Sequence, residues 1–141
     1  MRTFFLLAAI ALAPAACSKK ASEAPATQAE QVQQIATVSV DQLDTMVANK
    51  ECVPVDANGE QTRKKMGVIP GALLLTDSDT FSVNELPPDK AKPLVFYCAN
   101  DACGASDAAA HKALVAGYTN VKVLPDGIAG WVKAGKKVAT I

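Results

Sequence analysis

Cys98 and Cys103 bracket the segment Cys98-Ala99-Asn100-Asp101-Ala102-Cys103, a C-x4-C pair in a chain of 141 residues. The apolar run Leu94-Val95-Phe96-Tyr97 comes directly before it and an Ala-rich segment over 104–116 directly after it. A strand, a short turn and a helix start in that order leave Cys98 at the C-terminal end of a buried strand, where open α/β sheets bind their ligands. Backbone N–H groups of Ala99, Asn100, Asp101, Ala102, Cys103 and Gly104, with the positive end of the following helix, are then expected to face the Cys98 sulfur as an anion nest. Such surroundings lower a thiol pKa and favour the thiolate, the nucleophilic form. The plain alternative is a buried structural cysteine. Cys103 adds a second chemistry, because a thiol pair can alternate between dithiol and disulfide with Cys103 as the resolving thiol; a static disulfide is the other outcome. Zinc does not fit, since two cysteines with the distant Cys52 and His111 lack paired ligand spacing. No metal and no cofactor are expected.

The elements that must position this loop alternate between strand-like and helix-like runs, which argues an α/β fold: a parallel sheet of about five strands with helices on both faces. Strands are expected over 37–40, 52–56, 72–75, 94–97 and 121–124, and helices over 41–49, 60–65, 104–116 and 128–133. Pro54 is awkward within the second strand, because proline removes a ladder donor and normally sits at a strand start or edge. The stretch 77–92 has no clear period and reads as a surface connection. Asp56 ends its strand on the same side of the sheet as Cys98, either capping a turn or supporting the site. Trp131, the large aromatic of a short helix, is expected to pack inward. His111 lies two turns into its helix, too far along to reach Cys98, and reads as a surface residue.

Further segments line up with these in a family order: Asp56, then Gly67-Val68-Ile69-Pro70-Gly71-Ala72, Tyr97-Cys98, Gly117-Tyr118-Thr119-Asn120-Val121 and Asp126-Gly127-Ile128-Ala129-Gly130-Trp131. Over about residues 37–138 the chain resembles the rhodanese-like (sulfurtransferase) domain. That resemblance implies a rhodanese-like sheet and an enzyme in which Cys98 carries sulfane sulfur as a persulfide, from a small donor to a thiol or cyanide acceptor. Amides around the loop would stabilise both thiolate and persulfide anion. Four departures stand out. Asn58 holds a place usually filled by Arg, Val68 that of His, Asp126 that of Gly, and Cys103 a loop position often filled by Arg. Family members with a longer loop act as phosphatases through C-x5-R; here the sixth residue after Cys98 is Gly104, and no arginine follows Arg63, so the grip on phosphate is missing. Thiosulfate is expected to be a poor donor for a related reason. Its dianion meets Asp101 and Asp107 with no Lys or Arg in the loop. Two other classes stay open: a thiol-redox or sulfur-carrier protein cycling Cys98 and Cys103, and a non-catalytic binding module.

The first 16 residues read as an export signal, with Arg2 ahead of an apolar run too short to span a membrane. Small residues then lead to Cys17, the expected lipidation site of a membrane-tethered periplasmic lipoprotein. Ala13-Pro14-Ala15 is also an acceptable site for ordinary signal cleavage, which would leave a soluble periplasmic protein. Residues 17–36, poor in large apolar groups, read as a flexible tether reaching roughly 25 Å. The remainder, 37–141, is one domain of about 105 residues, enough for a single core. With 14 Lys+Arg against 14 Asp+Glu the formal charge is zero. The clusters Arg63-Lys64-Lys65 and 133–137 read as solvated faces. Nucleic acid is therefore not expected as a partner, and contact with a membrane is expected through the lipid alone.

Overall fold

The Gln42 side-chain oxygen accepts from the Ser39 N–H while the Ser39 hydroxyl accepts from the Gln42 N–H, a capping box that starts the first helix at Val40. In the computed structural model, which describes residues 34–141, this ends the first strand early. β1 is Ala36–Thr37 and α1 is Val40–Ala48, where a strand over 37–40 was expected. Ile35 packs against the core and Ala36 pairs with Lys122, so residues ahead of position 37 also join the sheet and its core. The signal peptide expected over 1–16, Cys17 and the tether up to residue 33 lie outside the described residues.

The remaining elements follow the expected order: β2 (Val53–Asp56), α2 (Glu60–Met66), β3 (Leu73–Leu74), β4 (Leu94–Tyr97), α3 (Ala105–Val115), β5 (Val121–Leu124) and α4 (Gly127–Lys133). All pairings are parallel, in the order β1-β5-β4-β2-β3. Successive residues of β4 and β5 face opposite layers, as the period of a strand requires. Leu94, Phe96, Cys98, Val121 and Val123 pack with Ala109, Ala110 and Ala113 of α3. Val95, Tyr97 and Leu124 pack with Leu43 of α1 and with Ile128 and Trp131 of α4. Alanines on α3 let the helix lie close to the strand that carries the cysteine.

Pro54 sits in an interior strand, opposite Val95. It is tolerated because Val53 and Ala57 donate towards β4, which turns the Pro54 nitrogen to the other side, where pairing with β3 begins only at Val55. No ladder donor is lost. The connection over 77–92 is more than surface. It contains a single 3-10 turn, Val83–Glu85, and drops Phe81 and Leu86 into the core. Lys112 of α3 fastens it by donating to the carbonyls of Asp79 and Phe81 at 3.0 and 2.7 Å, its ammonium 4.4 Å from the Phe81 ring centroid. Tyr118 donates to the Pro87 carbonyl at 2.6 Å. Single-residue patterns gave no hint of this, because the fastening comes from a helix further along the chain.

Candidate active site

Cys98 follows β4 directly and its side chain is 1% exposed. Asn100 shapes the loop after it: its carbonyl accepts from the Cys103 N–H at 3.1 Å and its side-chain oxygen from the Ala102 N–H at 3.1 Å. Those two amides are thereby spent within the turn. The hydrogen bonds of the Cys98 sulfur do not include the N–H groups of residues 99–104. Instead the Cys98 thiol donates to the Cys103 carbonyl at 2.9 Å, with the Asn100 carbonyl at 3.8 Å and the Ser106 hydroxyl at 3.3 Å. Burial first, then the hydrogen bond to Cys103, push the Cys98 thiol up; the Ser106 hydroxyl and N–H pull against them.

Cys103 is half-buried and its environment is the reverse. Partial burial acts upward, but the neighbouring Cys98 thiol and the N–H groups of Ala99 and Ala105 outweigh it, and the Cys103 thiol lies below its ordinary value. Asp107 opposes them from α3. Both cysteines are free thiols. Asn100, Asp101, Ala102 and Gly104 are exposed and Ala99 is half-buried.

The N-terminus of α4 holds the loop from below. Ile128 donates to the Cys98 carbonyl at 2.9 Å and Ala129 to the Ala99 carbonyl at 3.0 Å. Gly127 makes the approach possible: its φ is +59°, and a Cβ there would stand 2.5 Å from the Cys98 carbonyl oxygen. Gly127→Ala is expected to cost about 2 kcal/mol in urea unfolding and to change the alkylation rates of Cys98 and Cys103, because the loop backbone must move.

The rhodanese-like domain model matches residues 39–134, and the five parallel strands with flanking helices have its architecture. The chain belongs to the rhodanese-like family. Solved structures of similar shape include the BH2092 protein of Bacillus halodurans, 23% identical with a TM-score of 0.66 over 74% of this chain and 77% of that one. A thiosulfate sulfurtransferase of Pseudomonas aeruginosa is 22% identical with a TM-score of 0.62, over 75% of this chain and 20% of that one. The human single-domain sulfurtransferase TSTD1 is 21% identical with a TM-score of 0.56, over 69% and 95% of the two chains. Likeness at these identities shows the fold alone. No curated protein matches the chain in sequence.

Two residues of this rhodanese-like domain escaped the sequence reading. Arg63 is 9% exposed rather than part of a solvated basic face. Its guanidinium donates to the Asp56 carboxylate at 3.3 Å and to the carbonyls of Asp56 and Leu75 at 3.0 and 2.8 Å. Asp56, fully buried, also accepts from the Asn58 N–H at 2.7 Å. Its carboxylate therefore caps the turn after β2 and anchors α2 through Arg63, while Asn58 takes only the turn. The available signal was that Arg63 is the sole arginine after Arg2. The second residue is Ser106, 2% exposed and in contact with Cys98; a serine in an Ala-rich helix start carried no mark of it.

The other departures have structural roles. Val68 is buried and exchanges backbone hydrogen bonds with Ala139, tying down the C-terminal segment. Asp126 precedes α4 and is exposed. Trp131 is in the core and donates to the Lys137 carbonyl at 2.7 Å; His111 is exposed on α3. Cys52 directly precedes β2, its thiol pushed up to about 11 chiefly by burial. Among the described residues no three metal-ligating side chains converge, and no helix is long and apolar enough to cross a membrane.

Proposed function

We propose that the protein is a sulfurtransferase which holds sulfane sulfur as a persulfide on Cys98 and passes it to a thiol or cyanide acceptor. The observation that carries this reading is the buried Cys98 thiol at the end of β4, 2.9 Å from the backbone carbonyl of Cys103, which carries a second free thiol, in the loop of a rhodanese-like domain. A thiolate attacks the outer sulfur of a donor, and neighbouring hydrogen-bond donors stabilise the anion that results. Donor charge matters. Asp101 and Asp107 are exposed at the loop, and Arg63 is committed to Asp56, so a neutral or thiol-borne donor suits the site better than thiosulfate.

The contact of the Cys98 sulfur with the Cys103 carbonyl supports a second reading, a redox protein in which the two free thiols close to a disulfide. Intact-mass measurement after mixing with a small organic persulfide separates the two. Gain of one sulfur atom on the loop is expected; loss of two hydrogens across Cys98 and Cys103 would favour the redox reading, and no change in mass would favour a binding module.

A further inference from the structure

We propose that Cys103 is the thiol that first takes sulfur from the donor, and that the sulfur then moves to Cys98. This rests on the sulfurtransferase reading and assigns its first step. Cys98 is 1% exposed, its sulfur packed against two carbonyl oxygens and the Ser106 hydroxyl, a setting that keeps its proton on. Cys103 is half-buried, open to a donor, and next to the N–H groups of Ala99 and Ala105. Asn100 has already used those of Ala102 and Cys103. Nucleophilic character and access thus coincide at Cys103 and are both poor at Cys98.

The Cys98 sulfur lies 2.9 Å from the Cys103 carbonyl oxygen, which keeps the two cysteines together for the second step. In the first step the Cys103 thiolate attacks the outer sulfur of a protonated donor persulfide. The donor S–S bond breaks, the donor leaves as a thiolate, and Cys103 becomes a persulfide. In the second, the Cys98 sulfur attacks the outer sulfur of that persulfide as its proton passes to the Cys103 sulfur. One S–S bond forms and one breaks, so Cys98 ends as the persulfide and Cys103 as the thiol, with no external oxidant or reductant. A low-pKa leaving thiol favours this direction of attack. Burial at Cys98 then keeps the stored sulfur away from stray thiols.

The test uses the full chain with cysteine persulfide as donor, quenched by alkylation at successive times and mapped by mass spectrometry. In the wild type, sulfur is expected on Cys103 at the earliest times and on Cys98 later. Cys98→Ser is expected to load Cys103 within about twofold of the wild-type rate, and Cys103→Ser to load Cys98 about tenfold more slowly. The pH profile adds an independent readout. Loading of the wild type should level off below the ordinary thiol range, because the thiolate fraction of Cys103 saturates there; loading of Cys103→Ser should keep rising through that range. If Cys103→Ser loads at the wild-type rate, or if sulfur never maps to Cys103, the relay is wrong and Cys98 is the direct nucleophile. If the wild type takes up no sulfur at all, the sulfurtransferase reading itself fails.

Discussion

Replacing both loop thiols, Cys98→Ser with Cys103→Ser, is expected to lower persulfide-to-cyanide transfer at least about a thousandfold, some 4 kcal/mol of barrier. Serine fills nearly the same space, but its hydroxyl is scarcely ionised near neutral pH and its oxygen cannot accept a transferable sulfur. The fold should tolerate the change. Both sites already make hydrogen bonds, and a serine at position 98 can donate to the Cys103-position carbonyl as the thiol does. Among the described residues one other cysteine remains, Cys52, and its thiol is pushed up to about 11 by burial, which leaves almost no thiolate at neutral pH. It cannot rescue the loop. Transfer by the double variant at more than a hundredth of the wild-type rate, with circular dichroism unchanged, would place the chemistry outside the loop and overturn the functional reading. Testing the pair together keeps this result independent of which cysteine acts first.

Elements were legible where a single period dominated the residues. β4 and β5 have the bounds read from the sequence, because Leu94–Tyr97 and Val121–Leu124 are short, mostly apolar runs closed by turn residues. β1 failed because the Ser39 hydroxyl and the Gln42 side chain cap a helix more strongly than the β-branched Val38 and Val40 favour a strand. Cysteine placement at the end of β4 was legible for the same reason as the strand. Its electrostatics were not, since they depend on which amides a neighbouring side chain consumes. Asn100 takes two of them, one with its carbonyl and one with its side chain. Arg63 was hidden by its company, Lys64 and Lys65, which are exposed on the same helix. A run of three basic residues on a helix points them at different angles, and only the partner, Asp56, decides which one turns inward.

That partner makes Arg63→Leu the costliest single change expected in the frame, about 3–5 kcal/mol of stability. The guanidinium spans three acceptors, the Asp56 carboxylate and the carbonyls of Asp56 and Leu75, and so joins β2, α2 and the end of β3. Leucine restores apolar volume but leaves the fully buried carboxylate with the Asn58 N–H as its remaining bonded donor and no countercharge. Desolvating an unpaired carboxylate is the dominant cost, and the Leu75 carbonyl left without its donor adds to it, while the Asp56 carbonyl keeps the Leu75 N–H. Adding Asp56→Asn removes the charge and should recover part of the loss, whereas Asp56→Asn alone should cost less than Arg63→Leu. Urea unfolding of the four members of this cycle measures the coupling. Purely additive losses would mean that Arg63 acts through its carbonyl bonds, and that the Asp56 charge is compensated elsewhere.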